Sequence, residues 1–295
     1  MNNSLKKYLP SPIVTLVKNL KRNYRRNKLE SKKKQNQIIY KDSLIEDLKS
    51  LGIKEGDNVI VHSSLSKIGY VDGGAQTVID ALSETVGDSG TLLFPAFPAN
   101  TFNKTYLEEN PVFHILNTES KMGIITELFR KQQGVKRSFH PTDSVCAKGS
   151  LAEYFTKDHF GQLTPYNKFS PFYKLCEKKG KILMIGVPLE TCTNLHTLED
   201  AVDFKYPVYD EKILEVKMID ESGKEHLMKT KVHNPEYSVK RKCSELAPIF
   251  EKENVLVKGK IGEADAMLIN ASTMHETMLR YYYERGVTMY TPYGT

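Results

Sequence analysis

Cysteine is scarce in this chain. Its four cysteines (Cys146, Cys176, Cys192 and Cys243) contain no CxxC pair and no dense cluster. That excludes a disulfide-stapled scaffold or a thiolate zinc site and fits a reducing, cytoplasmic setting. No apolar run is long enough to span a membrane, no signal-peptide cleavage pattern is visible, and Pro10 and Pro12 interrupt the start. The expectation is a soluble or peripheral protein. No internal repeat appears, and the two ordinary nucleotide loops, GxGxxG and GxxxxGKS, are both missing.

Basic charge is plentiful but concentrated in one place. Of the formal net +6, residues 1–37 carry +10 (eleven Lys and Arg against one Glu), which leaves the remainder at −4. A mildly acidic body has no global footprint for nucleic acid, so any anion it binds is held by a local site. Within the basic stretch, Ile13, Leu16, Val17, Leu20 and Tyr24 recur at helical spacing between lysines and arginines. This predicts a basic amphipathic helix over residues 12–30, either against an anionic membrane surface or packed on the body or a partner. Residues 28–37 read as a polar linker, so the expected division is a helical extension over 1–37 and one domain over 38–295.

With 295 residues, 40% of them hydrophobic, a large core can form. Helix and strand signals alternate from Lys41 onward. Residues 43–51 (ended by Gly52), 77–86 and 123–132 read as helices; 58–62 (NVIVH), 90–94 (GTLLF) and 181–187 (KILMIGV) read as short buried strands. Residues 212–220 and 226–232, separated by Glu221-Ser222-Gly223-Lys224, read as a hairpin. Residues 238–251 and 270–285 read as helices, with Met274, Met278, Tyr281 and Tyr282 of the last as core. The expected fold is α/β, a mixed central sheet flanked by helices.

Three segments can carry chemistry. His62-Ser63-Ser64-Leu65-Ser66-Lys67 follows a strand; Ser63 or Ser64 can cap the next turn while backbone N–H groups and Lys67 face a phosphate, or the turn is only a capped helix start. Residues 139–149, around Pro141, crowd titratable and hydroxyl side chains, and Ser170-Pro171 reads as an N-cap with proline at the first helical position. The third, residues 186–200, follows the strongest strand. If Thr193 or Asn194 caps a helix there, His196 and Glu199 are i and i+3 on one face. A neutral imidazole steadied by a carboxylate is a general base for acyl transfer to an amine, which must lose a proton; the plain alternative is a structural hydrogen bond. Cys192 is a rival nucleophile in a covalent reading.

In this order, VHSSLSKIGYVDGGAQTVIDAL (61–82), GTLLFPAF (90–97), HPTDSVCAKG (140–149), SPFYKL (170–175) and GVPLETCTNLHTLE (186–199) resemble the antibiotic N-acetyltransferase family, best known for aminoglycoside 3-N-acetyltransferases. The resemblance runs from about Ile39 to Arg285 and implies that family's α/β fold, distinct from the GNAT acetyltransferases. It implies acetyl-coenzyme A as cosubstrate, no metal, His196 and Glu199 as the catalytic pair, and His62, Ser63, Ser64, Lys67, Ser144, Ser170 and Thr193 as coenzyme A contacts. The chain departs from the family's pattern at Cys192 (usually Asn), Asp143 (often His) and Ser66 (commonly Arg). Its acceptor is expected to be an amino sugar, nucleotide- or lipid-linked and destined for surface polysaccharide, because a basic helix suits a membrane-side enzyme. The alternative is an aminoglycoside and a resistance function, which needs an acidic cleft, with Glu108, Glu109, Asp200 and Asp203 as candidates. A homo-oligomer is left open.

Overall fold

A computed structural model describes residues 37–295 together with Leu20, Asn23, Asn27, Ser31 and Gln35. Of the expected basic helix over residues 12–30, Leu20, Asn23 and Asn27 are described and helical while the rest lies outside the described residues, and the proposed boundary at residue 37 lies at their edge. Among the described residues, no helix is long and apolar enough to cross a membrane.

The sheet is mixed. Its strands are β1 (Asn58–Ser63), β2 (Thr91–Pro95), β4 (Lys136–Arg137), β5 (Val145–Gly149), β6 (Lys181–Ile185), β9 (Leu256–Ile261) and β10 (Ala264–Asn270). They lie in the order β9-β10-β6-β1-β2-β5-β4. Strands β6, β1 and β2 are parallel and central, with Ile60 opposite Ile182 and Leu93; every other neighbouring pair is antiparallel. The parallel strands are apolar on both sides because both faces are covered. Val59 and Val61 enter a core with Leu44, Leu48, Val78, Ile79 and Phe129, from helices at Lys41–Leu51, Ala75–Val86 and Ile124–Arg130. Ile60 points the other way, into a core with Phe155, Phe172, Phe250, Met274 and Met278. A smaller sheet, β8 (Glu225–Thr230), β7 (Leu214–Ile219) and β3 (Val112–His114), has its own apolar cluster around Phe113, Val216 and Met218.

Most sequence expectations hold within a residue or two. The hairpin is present, and Asp220 Oδ1 closes its turn by accepting from Ser222 and Lys224 backbone N–H groups. Met274, Met278 and Tyr281 of the helix Ala271–Arg285 are buried, as expected, while Tyr282 is half-buried. The single helix expected over 238–251 is a correction. The chain forms a short turn of helix at Pro235–Ser238, a loop, a 3₁₀ turn at Cys243–Leu246 and a helix only from Ala247–Lys252. Pro248 fits a helix's first turn and not its middle, so the helix starts just before it.

Candidate active site

All three parallel strands end on one cavity of about 660 Å³. Strand β1 delivers His62 and Ser63, the loop after β2 delivers Phe97 and Ala99, and the segment after β6 delivers Val187, Glu190, Thr193 and His196. Carboxyl ends of parallel strands are where open α/β sheets gather ligands. Gly186 makes the exit from β6 feasible. It has φ +66°, and a Cβ there would sit 2.4 Å from the Cβ of Lys67.

Beyond Val187 the chain winds through two 3₁₀ turns, Leu189–Thr191 and Thr193–His196, into a short helix, Thr197–Ala201. Neither Thr193 nor Asn194 caps it through a side chain. Instead Thr197 Oγ1 donates to Asn194 O at 2.8 Å, and Asn194 Nδ2 donates to Phe172 O. The pair expected from spacing still forms, with His196 Nδ1 2.9 Å from Glu199 Oε2.

Glu199 is fully buried and gathers three partners. Its Oε2 also lies 2.7 Å from His233 Nε2, and its Oε1 accepts from the Tyr290 hydroxyl at 2.8 Å. Two imidazoles and the hydrogen bonds they make hold its carboxyl well below the usual carboxylate range, against burial. An ionised carboxylate only accepts, so His196 Nδ1 and His233 Nε2 are the protonated nitrogens. Burial pushes His196 below its ordinary range, outweighing the upward pull of Glu199, so the ring is neutral at neutral pH. With Nδ1 protonated, its Nε2 keeps the lone pair a base needs.

Aromatic packing fixes the ring. Tyr166 stacks on His196 at 4.8 Å and on His233 at 5.4 Å, and its hydroxyl donates to Asp143 Oδ1 at 2.8 Å. Asp143 Oδ2 accepts from Thr142 at 2.6 Å, and burial raises the Asp143 carboxyl overall. His62 Nε2 is buried without a partner beside the cavity, and burial lowers that imidazole to about 4. It is a neutral imidazole with a nitrogen that makes no hydrogen bond within the protein.

The other expected contacts divide. Ser63 is shared with an adjoining pocket lined by Ser64 and Ser66, and Lys67 lines a third, with Gly186 and Lys258. Ser64 starts the short helix Leu65–Ile68 without a side-chain capping bond, contrary to expectation. Ser144 and Ser170 do not line the cavity. Ser144 Oγ donates to Ala96 O and accepts from the buried Arg137, and Ser170 Oγ caps its helix by accepting from Tyr173 N–H, the role its Ser-Pro pattern implies. Cys192 is buried and its thiol pushed far up, so it lacks the thiolate a nucleophile requires. His196, Glu199 and His233 form the one metal-competent cluster among the described residues, their donor atoms within 4.8 Å of one another. Hydrogen bonds at 2.7 and 2.9 Å already account for those atoms.

A family model described as "Aminoglycoside 3-N-acetyltransferase" matches residues 60–282. The chain belongs to the aminoglycoside 3-N-acetyltransferase family. Among relatives, the SPbeta prophage-derived aminoglycoside N(3')-acetyltransferase-like protein YokD of Bacillus subtilis is 32% identical over 251 residues, 78% of this chain and 87% of that protein. Aminoglycoside N(3)-acetyltransferase VII of Streptomyces paromomycinus is 33% identical over 192 residues, 60% of this chain and 66% of its own length. Among solved structures, aminoglycoside acetyltransferase AAC(3)-Xa superimposes with a TM-score of 0.76 at 26% identity, covering 88% of this chain and 97% of that one. AAC-IIIb, solved as a binary complex with coenzyme A, gives 0.70 at 28% identity, covering 83% and 97%. The expected family, and a fold unlike GNAT, are thereby established.

The fold also brings to Glu199 what spacing along the chain could not reveal. His233 and Tyr290 stand 34 and 91 residues from Glu199 and reach it only through the fold. His233 pairs with Tyr209 in an isolated bridge after the small sheet, and no local motif singles it out.

Proposed function

We propose that this chain transfers the acetyl group of acetyl-coenzyme A to a primary amine of an amino sugar, with His196 as general base and Glu199 orienting it. The arrangement at Glu199 carries the reading: one buried carboxylate holds the His196 Nδ1–H, which leaves Nε2 as an acceptor on the cavity wall. The amine nitrogen attacks the thioester carbonyl and a C–N bond forms. His196 Nε2 takes the amine proton, the C–S bond breaks, and the proton passes to the departing thiolate. Glu199 stabilises the transient imidazolium. His62, Ser63, Ser64 and Thr193 are the proposed pantetheine contacts, with Lys67 toward the phosphates; Ser144 and Ser170, tied into structural bonds, drop out of that set.

The names of the relatives favour an aminoglycoside as acceptor. A second reading, an amino sugar in surface polysaccharide assembly, is favoured by the cavity itself. None of the acidic residues expected for a polycation (Glu108, Glu109, Asp200, Asp203) lines it. Glu108 pairs with Lys212, and Asp200 accepts from Tyr166 N–H. A cytoplasmic site of action, with residues 1–37 on a membrane surface, belongs to this second reading.

The test is free-thiol release from acetyl-coenzyme A across a panel of aminoglycosides and amino sugars, with mass spectrometry of the product. Amine-dependent thiol release with an N-acetylated product is the expected result. Its absence with every amine would overturn the reading.

A further inference from the structure

The cavity's charges do not match a polycationic acceptor. Among the described residues that line it, the acids are Asp143 and Glu190. Each is committed: Asp143 accepts from Tyr166 and Thr142, and Glu190 accepts from the Ser244 backbone N–H and hydroxyl at 3.0 and 2.6 Å. The lining cations are Lys121 and Arg241. Lys121 is taken up by Glu119 at 2.7 Å. Arg241 has no carboxylate within ion-pair distance among the described residues.

Arg241 is also under-satisfied. A guanidinium offers five N–H donors in a planar fork. Here Nη2 donates to Ser238 Oγ at 3.1 Å, and the Tyr290 hydroxyl is a further hydrogen-bond partner. Its Nε is buried with no partner. Ser238 and His233 stand beside it on the cavity wall. Tyr290 joins Arg241 to Glu199, and Glu199 joins Tyr290 to His196, so this cation stands two hydrogen-bonded side chains from the base.

Arg241 is half-buried on the cavity wall; burial opposes its charge, Tyr290 and Glu199 more than offset that, and an anionic ligand in the cavity would meet it as a charge-assisted donor. A phosphate matches the fork and takes two parallel N–H bonds. A polyamine at the same wall meets like charge instead.

We infer that the acceptor carries a phosphate group beside its amine, and that Arg241 holds that phosphate while His196 receives the amine proton. The inference rests on the acetyl-transfer reading of the site and names its substrate class, an amino-sugar phosphate. Arg241 acts on specificity: it selects the acceptor and takes no part in the proton transfer. None of the residues carrying this argument is among the proposed coenzyme A contacts, so the acceptor's phosphate and those of the cofactor have separate places.

The test is calorimetric titration of the full chain, saturated with coenzyme A, with glucosamine 1-phosphate, UDP-glucosamine, glucosamine and a polycationic aminoglycoside. Charge-assisted hydrogen bonds of this kind lead to an expected preference of roughly tenfold or more for glucosamine 1-phosphate over glucosamine. Arg241→Gln removes that preference, and Arg241→Lys, a point charge without the fork, keeps part of it. Tighter binding of UDP-glucosamine than of the 1-phosphate identifies a nucleotide-linked acceptor. Equal binding assigns recognition to the phosphate alone, the part a lipid-linked sugar shares. Retained coenzyme A affinity in both variants shows that they are folded. Should Arg241→Gln not fold, the wild-type preference and the Arg241→Lys loss decide the matter.

The inference is overturned if the aminoglycoside binds tighter than the sugar phosphate, if neither Arg241 variant changes the preference, or if the chain saturated with coenzyme A binds glucosamine 1-phosphate no better than glucosamine. Failure of the wild-type chain to bind coenzyme A at all would instead remove the acetyl-transfer reading beneath it.

Discussion

Replacing Glu199 with Gln removes one charge and almost no volume, so it isolates what the carboxylate does. In the native site Oε2 receives both imidazole N–H groups, at 2.9 and 2.7 Å, and Oε1 receives the Tyr290 hydroxyl at 2.8 Å. An amide has one oxygen and one NH₂. With its oxygen toward the imidazoles, the NH₂ forces Tyr290 to become an acceptor. With its NH₂ toward them, His196 must accept at Nδ1 and carry its proton on Nε2, where the incoming amine needs a lone pair. In either orientation the imidazolium formed during turnover has lost its counter-charge in a buried site. General-base catalysis contributes about 10²- to 10⁴-fold, so kcat should fall by that factor, roughly 3–5 kcal/mol in the barrier. The KM for acetyl-coenzyme A should change by less than about threefold, because the lost interaction strengthens only as charge develops. Thiol release at saturating acceptor reads the first quantity and an acetyl-coenzyme A titration the second. A Glu199→Gln enzyme with kcat within about threefold of wild type, or one whose defect lies wholly in KM, would refute the orienting role.

Tyr290→Phe removes one of the three donors to Glu199 and should lower kcat by about 3- to 10-fold, the worth of a neutral-to-charged hydrogen bond partly made good by neighbours; steady-state kinetics check it. Cys192→Ala should retain turnover within about threefold, and iodoacetamide near neutral pH should leave Cys192 unmodified in the native protein, since burial raises its thiol. Burial holds His62 at about 4 and His159 at about 3, below the ordinary 6.5. The unfolded chain therefore binds protons that the folded chain refuses. The stability these two groups contribute is present above their unfolded pKa and is lost as pH falls below about 6.5, by about 2 kcal/mol for each group at pH 5. Urea unfolding at pH 7 and pH 5 measures it, and an unchanged midpoint would contradict the burial of these rings.

The parallel strands were legible because an apolar run such as Lys181–Ile185 has no other use than a strand buried on both faces. So was the His196–Glu199 pair, since three residues of helical or 3₁₀ chain bring side chains to one side. The antiparallel hairpin Leu256–Asn270 was not: Lys258, Gly259 and Lys260 break its apolar pattern, and those positions sit on an exposed edge strand where polar side chains cost nothing. The stretch 238–251 misled through periodicity, because Pro248 sits where a helix begins. In the site, His233, Tyr166, Tyr290 and Arg241 converge from loops far apart in the chain, and local spacing carries no trace of them. Ser144 and Ser170 came with the family's motifs, and both are buried with hydroxyls hydrogen-bonded within the fold.

The proton-accepting role of His196 is tested most directly by His196→Ala, with turnover and coenzyme A affinity measured on the same preparation. The account predicts that thiol release falls by about 10²-fold or more while coenzyme A still binds with an affinity near that of the wild type. Wild-type turnover in that variant would contradict it.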